Sequence, residues 1–133
     1  MDGPSAPLLP LVLTGLGMAA AGVLLVWLAR RGRDGRLPRN QFAGVRTMLT
    51  LSSDAAWFPA QRAAASDTVV AGAGAVVGGG ALCVASFVPL AEPALIATVT
   101  VLTLGTAVWM VAWVLRGAVA AQRAARAAVD GRG

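Results

Sequence analysis

The chain has 133 residues, of which 57% are apolar and only 13% charged. Soluble domains are typically about 45–50% apolar and about 25% charged. This balance leaves little room for a soluble enzyme, excludes a disordered charged tail, and points to a single membrane domain over residues 1–133. The net charge of +5 rests on 11 arginines with no lysine. Histidine and tyrosine are absent and there is one cysteine. The commonest acid–base residue and metal ligand are therefore missing, and an intrachain disulfide framework is excluded. Abundant Ala, Gly, Val and Arg fit a high-GC bacterial genome.

A bilayer core about 30 Å thick needs about 20 apolar residues in helix. Residues 8–29 are the first such run, closed by Arg30 and Arg31. The preceding residues 1–7 carry Asp2 and no arginine, and Ala19, Ala20 and Ala21 fall in mid-segment. The run therefore reads as a span, not as a cleaved signal peptide. Gly15, Ala19 and Gly22 recur at i, i+4 and i+7 on one face, where small residues allow close helix approach. Residues 30–66 form a long loop. The second uncharged run, 68–90, follows Asp67 and has Pro89 at its far end. Gly74 and Gly78 stand in GxxxG spacing, with Gly72, Gly79 and Gly80 nearby. They suit packing within the chain, and the alternative is a homodimer seam or a hinge. Glu92 and Pro93 make a short turn into the third run, 94–115, which Arg116 closes. Thr98, Thr100, Thr103 and Thr106 read as bonding to their own helix, not as a pore lining. Cys83 reads as a small apolar packer. Residues 118–129 are alanine-rich and extend the third helix into a basic tail, 116–133. Arg123 and Arg126 share a face of it that can meet lipid phosphates. Trp27 and Trp113 sit near span ends, where an indole straddles the interface. The fold class is all-α: an integral membrane three-helix bundle with a partly helical cytoplasmic loop between helices 1 and 2.

Seven arginines lie between residues 30 and 66 and the other four follow residue 115. The residues before the first span and the turn between the second and third have none. The positive-inside rule places both arginine-bearing regions in the cytoplasm and the N-terminus outside, in a bacterial plasma membrane. Anionic lipid head groups are the expected partners of this charge. No aromatic-interleaved basic patch supports nucleic-acid binding. No span contains Asp, Glu, Arg or Lys, which argues against a proton-coupled transporter.

The loop has two halves. Residues 30–38 form a charged connector. From Pro38 to Arg62 the sequence is too apolar for a solvated linker, and Leu49, Leu51, Trp57 and Phe58 need cover. Gly44 marks a turn whose backbone needs room. Ser52 or Ser53 caps a helix start, with Asp54 in the first turn. A helix through Trp57 toward Arg62 follows. Pro59 removes the bond to the Ala55 carbonyl, so a kink or a restart is expected there.

Asn40, then Gly44-Val45-Arg46-Thr47, then Thr50-Leu51-Ser52, then Trp57 and Arg62 form an ordered set. This stretch resembles the SdpI family, the immunity proteins for a sporulation-delaying toxin. Three positions depart from the family pattern: Met48 replaces the common Pro, Gln61 stands where His or Asn is frequent, and Pro59 is atypical. The resemblance implies a non-enzymatic inner-membrane protein that protects against a secreted peptide toxin. It also implies, as in the best-studied type, recruitment of a soluble repressor to the membrane.

Each loop residue has two readings. Arg46 binds a partner acid or lipid phosphate bidentately, or caps carbonyls at the cytoplasmic end of the bundle. Asn40 and Thr47 shape the turn in preference to binding a ligand. Trp57 reads as an interfacial anchor before a partner hot spot. Asp54 serves the helix start, or pairs with Arg46 or Arg62. One such carboxylate makes no catalytic constellation, so no catalytic, cofactor-binding or metal-binding residue is assigned and no cofactor is expected. The partner- or lipid-binding set is Asn40, Gly44, Arg46, Thr47, Thr50, Trp57 and Arg62. Candidate partners are a peptide toxin, a soluble regulator or a larger membrane complex, with a homo-oligomer as a further alternative. The rival functions are an accessory subunit of an envelope complex and, last, a homo-oligomeric transport element.

Overall fold

The computed structural model describes residues 8–131. The leader 1–7 and Arg132 of the basic tail lie outside the described residues. Four helices follow one another: α1 (Leu8–Arg33), α2 (Met48–Ser52), α3 (Asp54–Ala85) and α4 (Glu92–Asp130). The fold is all-α, with no strand among the described residues. The three long helices are apolar enough to cross a membrane. They have 26, 32 and 39 residues. At 1.5 Å per residue these are about 39, 48 and 58 Å, so α3 and α4 outrun a bilayer core of about 30 Å. The loop expected over 30–66 is therefore shorter, because α1 continues to Arg33 and α3 already begins at Asp54.

Both ends of α3 have local causes. Ser53 is its N-cap, and the Ser53 hydroxyl accepts from the Ala56 N–H at 3.2 Å. Asp54 lies in the first turn, where a carboxylate favours the helix dipole. Pro59 does not restart the helix. It sits inside one continuous α3, in the second turn, where its missing N–H removes a single bond. The far end stops at Ala85, short of the expected 90. Pro89 disfavours helix at Val88, and the Ser86, Phe87 and Val88 N–H groups close tight turns onto Leu82, Val84 and Ala85. Pro93 then falls in the first turn of α4, where it is tolerated.

α3 is the central helix, with α1 and α4 both antiparallel to it. In lipid the hydrophobic effect does not draw helices together, so close approach decides packing. On one flank, a side chain at Gly15 would meet the Gly79 carbonyl and the Cys83 sulfur. One at Gly22 would meet the Gly72 carbonyl and Val76. Gly79 in turn lies against Gly15 and Ala19. On the other flank, Gly74 lies beneath the Trp109 indole and Gly78 beneath the Thr106 hydroxyl. Gly15, Ala19, Gly22, Gly74 and Gly78 thus all sit in seams within one chain. The Trp109 indole N–H donates to the Val70 carbonyl at 3.0 Å across the second seam. Ala71, Ala75 and Leu82 are fully buried along α3. The large side chains of α1 and α4, among them Leu13, Leu16, Val101 and Leu104, point outward.

The seam changes character beyond the apolar runs. Asp67 and Arg116 pair at 3.6 Å at the arginine-bearing end of both helices. From there Ala56, Ala60 and Ala64 of α3 pack on Ala121 and Ala125 of α4. Ala118 to Val129 is helical as expected.

Adjacent glycines provide the test of this packing. Gly79→Val should lower the stability of the detergent-solubilised protein by on the order of 1–3 kcal/mol, because backbone lies where the side chain would go. Gly80→Val, facing open space, should leave the unfolding midpoint within error. Thermal unfolding followed by circular dichroism measures both.

Candidate functional site

The segment between α1 and α3 is a folded cap on the arginine-rich end. Its first fixed point is Asn40. The Asn40 side-chain oxygen accepts from the Phe42 and Ala43 N–H groups at 2.8 and 2.7 Å, and its amide donates to the Pro38 carbonyl at 2.8 Å. This is a local turn of the kind Asn makes readily. Gly44 follows with φ +98°, a conformation that glycine adopts without steric penalty. A Cβ there would also lie 2.6 Å from the Gln61 side-chain oxygen. The turn therefore needs both the torsion and the space.

Val45 is then clamped by α3. Its N–H donates to the Gln61 side-chain oxygen at 3.0 Å, and its carbonyl accepts from the Gln61 amide at 3.0 Å. The pairing imitates one rung of a β-ladder, with a side-chain amide as the second strand. Gln61 is 5% exposed. The Thr50 hydroxyl donates to the same Val45 carbonyl at 2.9 Å and accepts from the Thr47 N–H at 2.8 Å. Thr47 caps α2 by accepting from the Thr50 N–H, which makes a reciprocal capping box. The Thr47 hydroxyl donates to the Gln122 side-chain oxygen of α4 at 2.9 Å. The loop is thus tied to α3 through Gln61 and to α4 through Gln122.

Trp57 departs from its expected place. It is fully buried, and its indole N–H donates to the Leu37 carbonyl at 2.7 Å. It is a core residue holding the start of the loop, not an interfacial anchor. The reason is position: Trp57 lies on the inner face of α3, one turn before Gln61, under the loop. Asp54 pairs with Arg39 at 3.4 Å, not with Arg46 or Arg62, and both side chains are exposed enough that the pair adds little stability. Arg39 also donates to the Leu51 carbonyl at 3.0 Å. The Arg46 guanidinium donates to the Gln41 carbonyl and is otherwise exposed. Arg62 is exposed on α3 near Gly35.

The predicted residues therefore divide. Asn40, Gly44, Thr47, Thr50 and Trp57 build the cap from within, while Arg46 and Arg62 face outward. Sequence reasoning missed α2 and two outward apolar residues, Phe42 in the Asn40 turn, 89% exposed, and Met48 at the start of α2, 94% exposed. It also gave no role to Gln61 and Gln122. The signals were Thr-x-x-Thr in capping spacing, and a lone amide on an otherwise alanine face of each helix.

Gln61→Ala leaves the part-buried Val45 N–H without its partner, a loss of about 1 kcal/mol. Hydrogen–deuterium exchange should show protection falling across residues 44–52 while the interiors of α1, α3 and α4 keep theirs. Thr50→Val should produce a similar local loss, since it removes the hydroxyl and keeps the shape.

The profile of the SdpI/YfhL protein family matches residues 36–117. The match begins in the connector, includes the whole cap and α3, and continues through the apolar part of α4 to Gly117. It is longer than the ordered loop motif alone, and α1 lies before it. No curated protein and no solved structure matches the chain. The matched segment covers more than half of the chain and includes two of its three apolar helices: the protein belongs to the SdpI/YfhL family and is a membrane protein.

Proposed function

We propose that this protein acts in toxin immunity or membrane-tethered signalling, with segment 40–62 as its cytoplasmic working surface. The observation that supports this reading is the two-sidedness of the cap. Its inner side is fully engaged with α3 and α4. Its outer side leaves Phe42, Arg46 and Met48 exposed, and Arg62 is exposed beside it on α3. Cations interleaved with exposed apolar side chains suit an acidic, partly apolar protein surface, and a rigid base presents them without a large ordering cost. In this reading the role is non-enzymatic and lies at the bacterial plasma membrane, as the loop's resemblance to the family implies. The arginine distribution supports a cytoplasmic cap.

A peptide toxin arriving from outside or from within the bilayer would bias the cap through α3. This helix is one continuous rod from Ala85 to the Trp57 and Gln61 contacts. Such a ligand shifts the equilibrium only by its differential affinity for two positions of that rod.

The test expresses wild type and Arg46→Ala in a toxin-sensitive strain and challenges it with the sporulation-delaying peptide. A parallel sample is crosslinked in native membranes, and captured proteins are identified by mass spectrometry. Protection and a soluble regulator should both be lost with Arg46→Ala, while membrane insertion and exchange protection of residues 44–52 persist. A stoichiometric membrane complex indifferent to Arg46, with no protection by wild type, would retire the immunity reading in favour of an accessory subunit.

A further inference from the structure

Two apolar grooves run along the outward side of α3 and share Ala73 and Val77. The groove against α4 encloses about 590 Å³, is floored by Gly74 and Gly78, and has no charged residue in its lining. The groove against α1 encloses about 500 Å³ between Val23, Val26 and Trp27 on one wall and Val76 and Val77 on the other. It differs in one respect: Arg30 lines it.

Arg30 differs also from its counterpart on α4. Arg116 is held by Asp67 at 3.6 Å and stacks 4.9 Å above the Trp113 ring. Arg30 makes no ion pair among the described residues, although Asp34 is only four positions away. Arg31 stacks 4.8 Å above the Trp27 ring, and Arg33 completes the last turn of α1. The groove therefore runs from apolar walls to the Arg30 guanidinium, with the Trp27 indole and its stacked Arg31 beside it.

We propose that the α1–α3 groove binds one anionic phospholipid of the arginine-side leaflet. Its phosphate lies on Arg30, and one acyl chain lies along Val23, Val26, Ala73, Val76 and Val77. Guanidinium matches phosphate bidentately and at little loss of preorganisation. Trp27 and Arg31 sit at head-group depth, where indole and guanidinium are stable. The groove gives an acyl chain walls on two sides, and dispersion grows with the number of such contacts. A second copy seated here by two-fold symmetry would bring two sets of Arg30, Arg31 and Arg33 to the same depth. Like charges at that depth oppose it.

Trp27 reports occupancy. In a Trp109→Phe/Trp113→Phe background it is the membrane-facing indole, since Trp57 is fully buried under the loop. The protein is placed in phosphatidylcholine nanodiscs holding a minor fraction of brominated phosphatidylglycerol, or the same fraction of brominated phosphatidylcholine. Phosphatidylglycerol should quench Trp27 with about fivefold higher apparent affinity, the effect of one arginine at a membrane surface. Arg30→Gln should bring the two lipids level, and Arg123→Gln should not. Ala73→Leu, which fills the groove and keeps Arg30, should also abolish the preference. Equal quenching by both lipids in the parent would overturn the site. An equal loss in Arg123→Gln would also overturn it, leaving diffuse charge attraction. Disulfide crosslinking of two chains through Val77→Cys in a Cys83→Ser background would put a second copy in the groove and overturn it too.

Discussion

The packing depends on one constraint: α3 must lie in backbone contact with two helices at once, without help from the hydrophobic effect. Lipid tails are as apolar as leucine, so large side chains gain nothing by turning inward. The helices associate where side chains are absent and dispersion acts between backbones. Gly72 and Gly79 supply that surface toward α1, and Gly74 and Gly78 supply it toward α4. The two pairs are interleaved in sequence but lie on different flanks. This accounts for four of the five glycines that crowd into nine residues of a helix whose propensity they reduce; the fifth, Gly80, faces open space. The α1–α3 and α3–α4 seams, and through them the placing of the cap, follow from this spacing.

Beyond the apolar runs the same two helices continue, and the packing chemistry changes with the solvent. Alanine replaces glycine, so that Ala56, Ala60, Ala64, Ala121 and Ala125 bury methyl groups that water makes worth burying. Asp67 and Arg116 mark the transition. Ionised groups at that depth are stable only with a partner or with access to the interface, and Arg116 has both, through Asp67 and through its own exposure. The alanine seam leaves α3 and α4 close together and gives the loop a base with two polar handholds, Gln61 and Gln122.

The cap shows how a short segment acquires a fixed shape without a core of its own. Its backbone groups are met by Asn40, Gln61 and Thr50, and its one large anchor is Trp57 from α3. Inner polar bonds hold the shape, so the outer side chains are not needed for it. Phe42 and Met48 remain exposed for that reason, as does Arg46, whose guanidinium donates to the Gln41 carbonyl. The shape of the cap is thereby carried by residues other than the outward ones of the same stretch of sequence.

The sequence by itself determined the all-α class, the three apolar helices, the arginine-bearing end and a helix start at Ser52 or Ser53, of which the structure selects Ser53. Each follows from local quantities: run length, charge, and a hydroxyl before a carboxylate. It also showed Gly44 as a turn needing room, because glycine between Asn40 and Thr47 has few other uses. The tertiary structure decided which helix each glycine faces, since a GxxxG spacing says that an approach is close and not what approaches. It moved Trp57 from the interface to the core, because amphipathic indoles suit either place and only the covering loop selects one. It kept α3 continuous through Pro59, since a lost bond in the second turn is tolerable when the flanking residues are packed. It paired Asp54 with Arg39, because the turn at Asn40 carries Arg39 back over the helix start. Gln61 acquired its role in the same way: an amide becomes a clamp only when a distant backbone is delivered to it.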